Sequence, residues 1–328
     1  MHGGGGSVDA WWVNPKLKLV AESQGGVFGR GQAIESGYSL EQIRERLGDR
    51  RWERVRYGQY AEAVDLSGLA PWDRRLVRHR RLIQAVMNSL APDSVAVSHQ
   101  SALVLHGVPL WGVDLEEVQV TRLDRRHGGP IAGVRHHRGK LTAADLVEVN
   151  GLPTTAIARA VVETACTASF EAAVVSADAA VRDHQISAEA MLQLLDMVEF
   201  WPGSPTARAA MGFCDGHAES VGESRLRVLI HNHGLPVPLL QFRFDDANGF
   251  VARVDFYFPC QQTVVEFDGL VKYSGGSPNV LIEEKLREDR LRALGVEVVR
   301  ITWADLDHPG SVVARIRQAF ARSAARTA

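Results

Sequence analysis

The chain has 328 residues, 45% of them apolar and 23% charged, with 37 basic against 39 acidic side chains for a formal net charge of −2. That length predicts two or three domains, and the composition excludes both a disordered chain and one coated in basic residues. No apolar run reaches the roughly 18 residues of a membrane span, and the start, MHGGGGSVDAWW, lacks a basic stretch followed by a long apolar one; a cytoplasmic protein with no membrane partner is expected. Cys166, Cys214 and Cys260 are scattered, odd in number and without CxxC spacing, which points to reduced packing residues.

Residues 1–15 are Gly-rich around an isolated Trp11-Trp12 pair and read as a flexible leader. Over 16–66 the pattern gives three short helices, LKLVAES, GRGQAIESG and SLEQIRERLGDRRW. Ser39 followed three residues later by Gln42 forms a capping box that starts the third. The next segment, ERVRYGQYAEA, alternates and turns at Gly58 as a β-hairpin does. Three helices and a hairpin make the plan of a winged helix-turn-helix, whose third helix enters the major groove of DNA while the wing grips phosphate. Gln42, Arg44, Arg46, Arg50 and Arg51 fall on or near that helix, and Arg54 and Arg56 at the wing. The blander reading is a three-helix module used for protein contact.

Residues 67–200 mix helix and strand as an α/β middle domain. A basic helix runs from Arg74 to Leu90, strands are expected near Glu117–Arg122 and Val134–His137, and AIARAVVETACTA is helical. His127, His136 and His137 read as a basic exposed strand before they read as metal ligands. Pro and Gly in WPGSPTARAAMGFCDGHAES predict a linker over 201–217. The last domain, 218–328, has the clearest rhythm. SVGESRLRVLIHNH is a helix with Ser220 and Glu223 as a capping box; LLQFRF, ARVDFYF and TVVEFD are strands; VLIEEKLREDRLRALG is a charged helix ending at Gly295; strand VEVVRIT and helix SVVARIRQAFARS follow. The order is αβββαβα.

Carboxylates among Val, Phe and Tyr in a strand demand an explanation. Asp255 lies in ARVDFYF, and Glu266 and Asp268 lie two apart in TVVEFD, which places the latter pair on one face of the sheet. Acids on neighbouring strands are what metal-assisted phosphodiester hydrolysis needs, because they hold a hard cation beside the scissile phosphate. Mg²⁺ or Mn²⁺ is the expected cofactor. Glu223 is a further acid from the preceding helix, with capping its own helix as the competing role, and Lys272 is a cation for the attacked phosphate or for activating water. His231 and His233 sit at a helix end where cations suit the dipole. Along the charged helix, pairs such as Glu283 with Arg287 account for most of the charge.

At these residues the chain resembles the αβββαβ core of the PD-(D/E)xK nuclease superfamily, and more closely a family of uncharacterised function related to very-short-patch-repair endonucleases. The resemblance covers residues 219–306 and rests on Asp255-Phe256, on Glu266-Phe267-Asp268-Gly269, and on Asp289-Arg290-Leu291 leading to Gly295 and VVRITWADL. It implies a restriction-endonuclease-like domain in which Asp255 and Glu266 bind the metal with Asp268 and Glu223 in support. The superfamily's second motif usually ends in Lys where this chain has Asp268, and the related family often has His where Lys272 stands. The segment GGVFGRGQAIESGYSLEQIRERLGDRRWERVRYGQY is similar to the winged-helix N-terminus of AbiEi-type antitoxins of type IV toxin–antitoxin systems, and SHQSALVLHGVPL and VNGLPTTAIARAVVETA to the domain that follows it there. That likeness implies operator binding, autoregulation and a cognate toxin as partner. Two functions are therefore expected: a DNA-binding protein with a metal-dependent endonuclease-like domain, serving phage defence or DNA repair, and an antitoxin-like transcriptional regulator whose nuclease-like domain is inactive.

Overall fold

The computed structural model describes residues 14–124, 126–247, 249–269 and 278–327, without the side chains of 278–284 and 327. The chain divides into two compact units, one made of residues up to Gly107 with Val113–Ala160, the other of Val108–Gly112 with everything from Val161 onward.

In the first unit, α1 (Pro15–Ser23) opens where the Asn14 side chain accepts from the Lys16 N–H and Pro15 sets the first turn. Strand β1 (Val27–Gly29), α2 (Arg30–Glu35) and α3 (Leu40–Gly48) follow. The Ser39 box forms as the sequence predicts, with Ser39 Oγ accepting from the Gln42 N–H at 3.1 Å and Gln42 Oε1 from the Ser39 N–H at 2.8 Å. Strands β2 (Trp52–Arg56) and β3 (Gln59–Glu62) make the hairpin, and β1 joins it in the order β1-β3-β2. Leu17, Phe28, Ile43, Trp52 and Tyr60 close one small core over this sheet.

The same unit continues through α4 (Pro71–Met87), β4 (Val95–Val97), α5 (His99–His106), β5 (Val118–Arg122), β6 (Gly129–Ile131), β7 (Val134–His137), β8 (Leu146–Val149) and β9 (Leu152–Thr155), whose strands form one sheet in the order β6-β7-β5-β4-β9-β8. Two histidines are sealed inside it. His79 donates from Nδ1 to the Leu115 carbonyl at 2.7 Å, and its Nε2 accepts from Ser101 Oγ at 2.9 Å; His99 is fully buried and stacks on His137 with ring centroids 3.7 Å apart. Burial pushes His79 down from 6.5 to about 4 and His99 to about 3. With folded values depressed, the unfolded chain takes up protons that the folded one refuses, so stability is full above pH 6.5 and falls as pH drops from there toward 4. His79 alone contributes a loss of about 3 kcal/mol over that window. Urea melts at pH 7.5 and pH 4.5 check this: His79→Gln, with its own cost removed at both values, should flatten the dependence, and an equally steep one would rule out His79 as its source.

Helix α6 (Ile157–Ala165) begins in the first unit and ends in the second, which goes on to hold α7 (Phe170–His184), α8 (Ala188–Gln193), α9 (Ser204–Phe213), α10 (Val221–Asn232), β10 (Leu239–Asp246), β11 (Gly249–Phe258), β12 (Thr263–Asp268), α11 (Pro278–Ala293), β13 (Glu297–Thr302), α12 (Trp303–Leu306) and α13 (Pro309–Thr327). The span 201–217, expected as a linker, is largely α9: its Pro sits in the first helical turn, where the missing N–H costs nothing, and Ala207, Ala210 and Met211 are buried. From α10 onward the order agrees with the predicted αβββαβα apart from the added single turn α12. The sheet runs β10-β11-β12-β13, antiparallel except for the parallel β12–β13 pair. Leu226 and Ile230 of α10 and Val312 and Ile316 of α13 pack with Phe256, Phe258 and Val265, while Leu291 of α11 packs with Val254, Tyr257 and Val264. The sheet is thus covered on both faces, and its polar side chains are left to gather where the strands end. Among the described residues no helix is long and apolar enough to cross a membrane.

Candidate functional site

The antiparallel ladder between β11 and β12 is paired at Phe258↔Thr263, Tyr257↔Val264 and Phe256↔Val265, and its recorded pairing stops there, one step short of Asp255 and Glu266. At that step the Asp255 side chain replaces a strand partner: its Oδ2 accepts from the Phe267 N–H at 2.7 Å. On the other side of β11 the pairing with β10 skips Gln241, which stands opposite Asp255 between the pairs Leu240↔Phe256 and Phe242↔Val254. Gln241 has φ +48°, a left-handed conformation that a non-glycine residue adopts only when its surroundings hold it there. Its amide explains the hold. Nε2 donates to Glu223 Oε2 at 3.0 Å and reaches Asp255 Oδ1 at 3.5 Å, so one strained residue ties the two carboxylates together.

Glu223 belongs to the first turn of α10. The expected box forms only by half: Ser220 Oγ accepts from the Glu223 N–H, but the Glu223 carboxylate passes over Ser220's backbone and accepts instead from the Glu219 N–H at 2.8 Å and from Ser220 Oγ at 2.8 Å. Glu223 therefore caps its helix and also faces the strand acids. It is buried, and that burial raises its pKa against the opposing pull of its hydrogen-bond donors.

Glu266 continues the face of Val264, which packs on α11, and it meets that helix through an ion pair. Both terminal nitrogens of Arg287 donate to it, at 2.8 and 3.0 Å, and the two side chains are only 12% and 27% exposed, so water screens the pair weakly. Arg287, expected to serve Glu283 along its own helix, thus reaches across to the strand. Asp268 is half-buried at the end of β12, in parallel register with Thr302. Lys272 lies outside the described residues. The structure brings together Glu223, Gln241 and Asp255, and holds Glu266 on Arg287. Among the described residues no three His, Cys, Asp or Glu side chains are grouped as metal ligands.

The other predicted positions separate by what their side chains touch. Arg46 lies over the rings of Tyr38 and Trp52 at 5.0 and 5.5 Å, Arg51 is bonded to Asp49, Arg56 donates to the Ala132 carbonyl, and Gln42 is committed to its cap. Arg44, Arg50 and Arg54 are exposed. Helix α3 ends at Gly48, so Arg50 and Arg51 follow it in the turn, where Arg50 has φ +60°. His231 packs against Phe213, and the His233 ring bonds the Leu229 carbonyl, which gives both a structural use.

Gln241 and Arg287 had no sequence signal pointing to the site: one is an ordinary polar residue in an alternating strand, the other one of several cations on a charged helix. Neither did the aromatic shell beside it, where Trp303 stands 5.2 Å from Phe267 and 5.7 Å from Trp111, and the Arg225 guanidinium lies 3.9 Å over Trp111.

No family model matches the chain. The uncharacterized protein MT2308 of Mycobacterium tuberculosis (strain CDC 1551 / Oshkosh) is 30% identical over 236 residues, covering 71% of this chain and 86% of that protein. The uncharacterized protein Rv2248 of Mycobacterium tuberculosis (strain ATCC 25618 / H37Rv) is similar to the same extent, 30% over 236 residues. A crystal structure of the RV2827C protein from Mycobacterium tuberculosis has a TM-score of 0.38 and 14% identity over 60% of this chain and 75% of that one, a likeness too small to carry an argument. The chain belongs to the family of the two uncharacterized mycobacterial proteins.

Proposed function

We propose that this chain is a cytoplasmic DNA-binding protein whose second unit carries a latent acidic site for phosphodiester hydrolysis, built from Glu223, Asp255 and Glu266 with Asp268 in support. The observation that carries the proposal is the strained Gln241, which joins two half-buried or buried carboxylates at the step where a β-ladder opens. Strain of this kind persists where a site needs a fixed geometry. The donor set is all oxygen and suits Mg²⁺ or Mn²⁺. When bound, such an ion neutralises charge on the attacked phosphate and activates water. Asp255 and Glu266 would hold it, Glu223 would fix Asp255 through Gln241, and Arg287 must leave Glu266 first. Once released, its planar fork suits a phosphate oxygen. In the first unit, a winged helix-turn-helix would present Arg44, Arg50 and Arg54 to DNA.

A second reading is favoured by the Arg287–Glu266 pair itself: a regulator of the antitoxin kind, with a cognate toxin as partner, in which that pair closes the site for good. Titration with Mn²⁺ separates the two. In the first reading the protein binds the ion, Arg287→Gln tightens binding roughly tenfold by removing a charged competitor, and Asp255→Ala abolishes both binding and metal-dependent nicking of DNA. Failure of the wild type and of Arg287→Gln alike to bind Mn²⁺ would leave the regulator as the surviving reading.

A further inference from the structure

The neighbouring strands β5 and β7 run parallel, with Thr121 paired to His137, and both end at the same edge of their sheet. The end of β5 with the chain leaving it and the chain leaving β7 line one cavity of about 980 Å³, to which Arg122, Arg126, Arg138 and Lys140 contribute cations; among the described residues no carboxylate lines it. The crevice beyond the carboxyl ends of adjacent parallel strands is where α/β sheets place their ligands. Asp124 is the nearest counter-charge. It is occupied by Arg122 at 2.6 Å and by Arg126 at 3.5 Å, and the Arg122 hydrogen bonds hold its carboxyl down at about 2. Asp145, the next acid along, is engaged by Thr142 and by the buried Arg159. Both neighbouring acids are thus engaged by Arg122, Arg126 and Arg159 rather than by Arg138 or Lys140. The Arg138 stem is braced against Gly128, where an added Cβ would stand 3.1 Å from its Cγ. In a chain whose net charge is −2, four cations converging on one concave surface are a local reversal that attracts anions.

We propose that this cavity binds phosphate-ester anions, with Arg138 and Lys140 as the direct contacts and Arg122 as the fixed cation between them and the sheet. The shared chemistry is a pair of adjacent phosphates, from a free diphosphate or from a nucleic-acid backbone. The proposal stands on the first unit alone and not on the acidic site of the second. Full-length protein is titrated by calorimetry with inorganic pyrophosphate, and by fluorescence anisotropy with a 20-base-pair DNA duplex over a range of salt, alongside Arg138→Gln/Lys140→Gln and, as a control that removes two exposed cations of the second unit, Arg208→Gln/Arg317→Gln. Pyrophosphate should bind the wild type and the Arg208/Arg317 control equally, and the Arg138/Lys140 variant at least about tenfold more weakly. If the backbone is the source, that variant also loses duplex affinity, with a salt slope shallower by roughly two; if a free diphosphate is the source, duplex binding is unchanged while pyrophosphate binding falls. Either result supports the site. Pyrophosphate binding that is absent from the wild type, or as strong in the Arg138/Lys140 variant with its circular dichroism intact, overturns it.

Discussion

Replacing Arg227 with methionine is expected to destabilise the second unit by about 3–5 kcal/mol, the cost of leaving a buried carboxylate without its partner. Asp178 on α7 is fully buried, and Arg227 on α10 meets both of its oxygens, at 2.7 and 2.8 Å. The same arginine donates to the Phe213 carbonyl at 2.7 Å and lies 4.2 Å over the Phe213 ring, and Asp178 also accepts from the Asp215 N–H at 2.8 Å. Three segments therefore depend on one ion pair: α7, the end of α9, and α10, which carries Glu223. Removing only one partner should be worse than removing both, because an apolar pair of similar volume leaves no charge behind. Urea unfolding of Arg227→Met, Asp178→Leu and the double variant measures this directly. Additive losses, or a loss below about 1 kcal/mol for Arg227→Met, would mean that the pair is not the joint described here.

Gly222→Ala should damage stability and site together. A Cβ on Gly222 would stand 2.0 Å from Phe267 Cε1 and 2.2 Å from Cζ, far inside contact distance, so the phenyl ring must move. Overpacking of this kind costs about 1–3 kcal/mol. Its second effect is specific to the place: Phe267 lies between Glu266 and Asp268 in the chain, and its N–H holds Asp255. A shift of β12 away from α10 should loosen Asp255 and weaken Mn²⁺ binding as well as lower the urea midpoint. Phe267→Leu in the Gly222→Ala background removes the ring's outer edge and should recover part of both. Full recovery of stability with no recovery of metal binding would show that the glycine serves packing alone.

What could be read from the sequence followed where local chemistry decides structure. Ser39 and Gln42 fix a helix start through bonds made within four residues, and the alternation in TVVEFD fixes a strand whose carboxylates fall two apart; both needed nothing from elsewhere in the chain. The strand acids stood out because a charge in an apolar run has few cheap explanations. Non-local facts did not show. The amide of Gln241 matters only because β10 lies beside β11 and α10 crosses near both, and nothing in LLQFRF marks it. Arg287 resembles every other cation on its helix until β12 is placed against it. The helix at 204–213 was hidden by Pro and Gly that read as a break, whereas its proline occupies a first-turn position that tolerates it. Glu223 was ambiguous between cap and site for a physical reason, since its two oxygens serve both.

On the function proposed above, Glu223, Asp255 and Glu266 form one site that a hard cation opens by displacing Arg287. Crystals of the Arg287→Gln protein soaked in Mn²⁺, with data collected at the manganese absorption edge, test it most directly. The expected result is an anomalous peak ligated by the Asp255 and Glu266 carboxylates with Gln241 still bridging to Glu223; Glu266 free of arginine, with Asp255 unmoved and no peak beside either, would rule the site out.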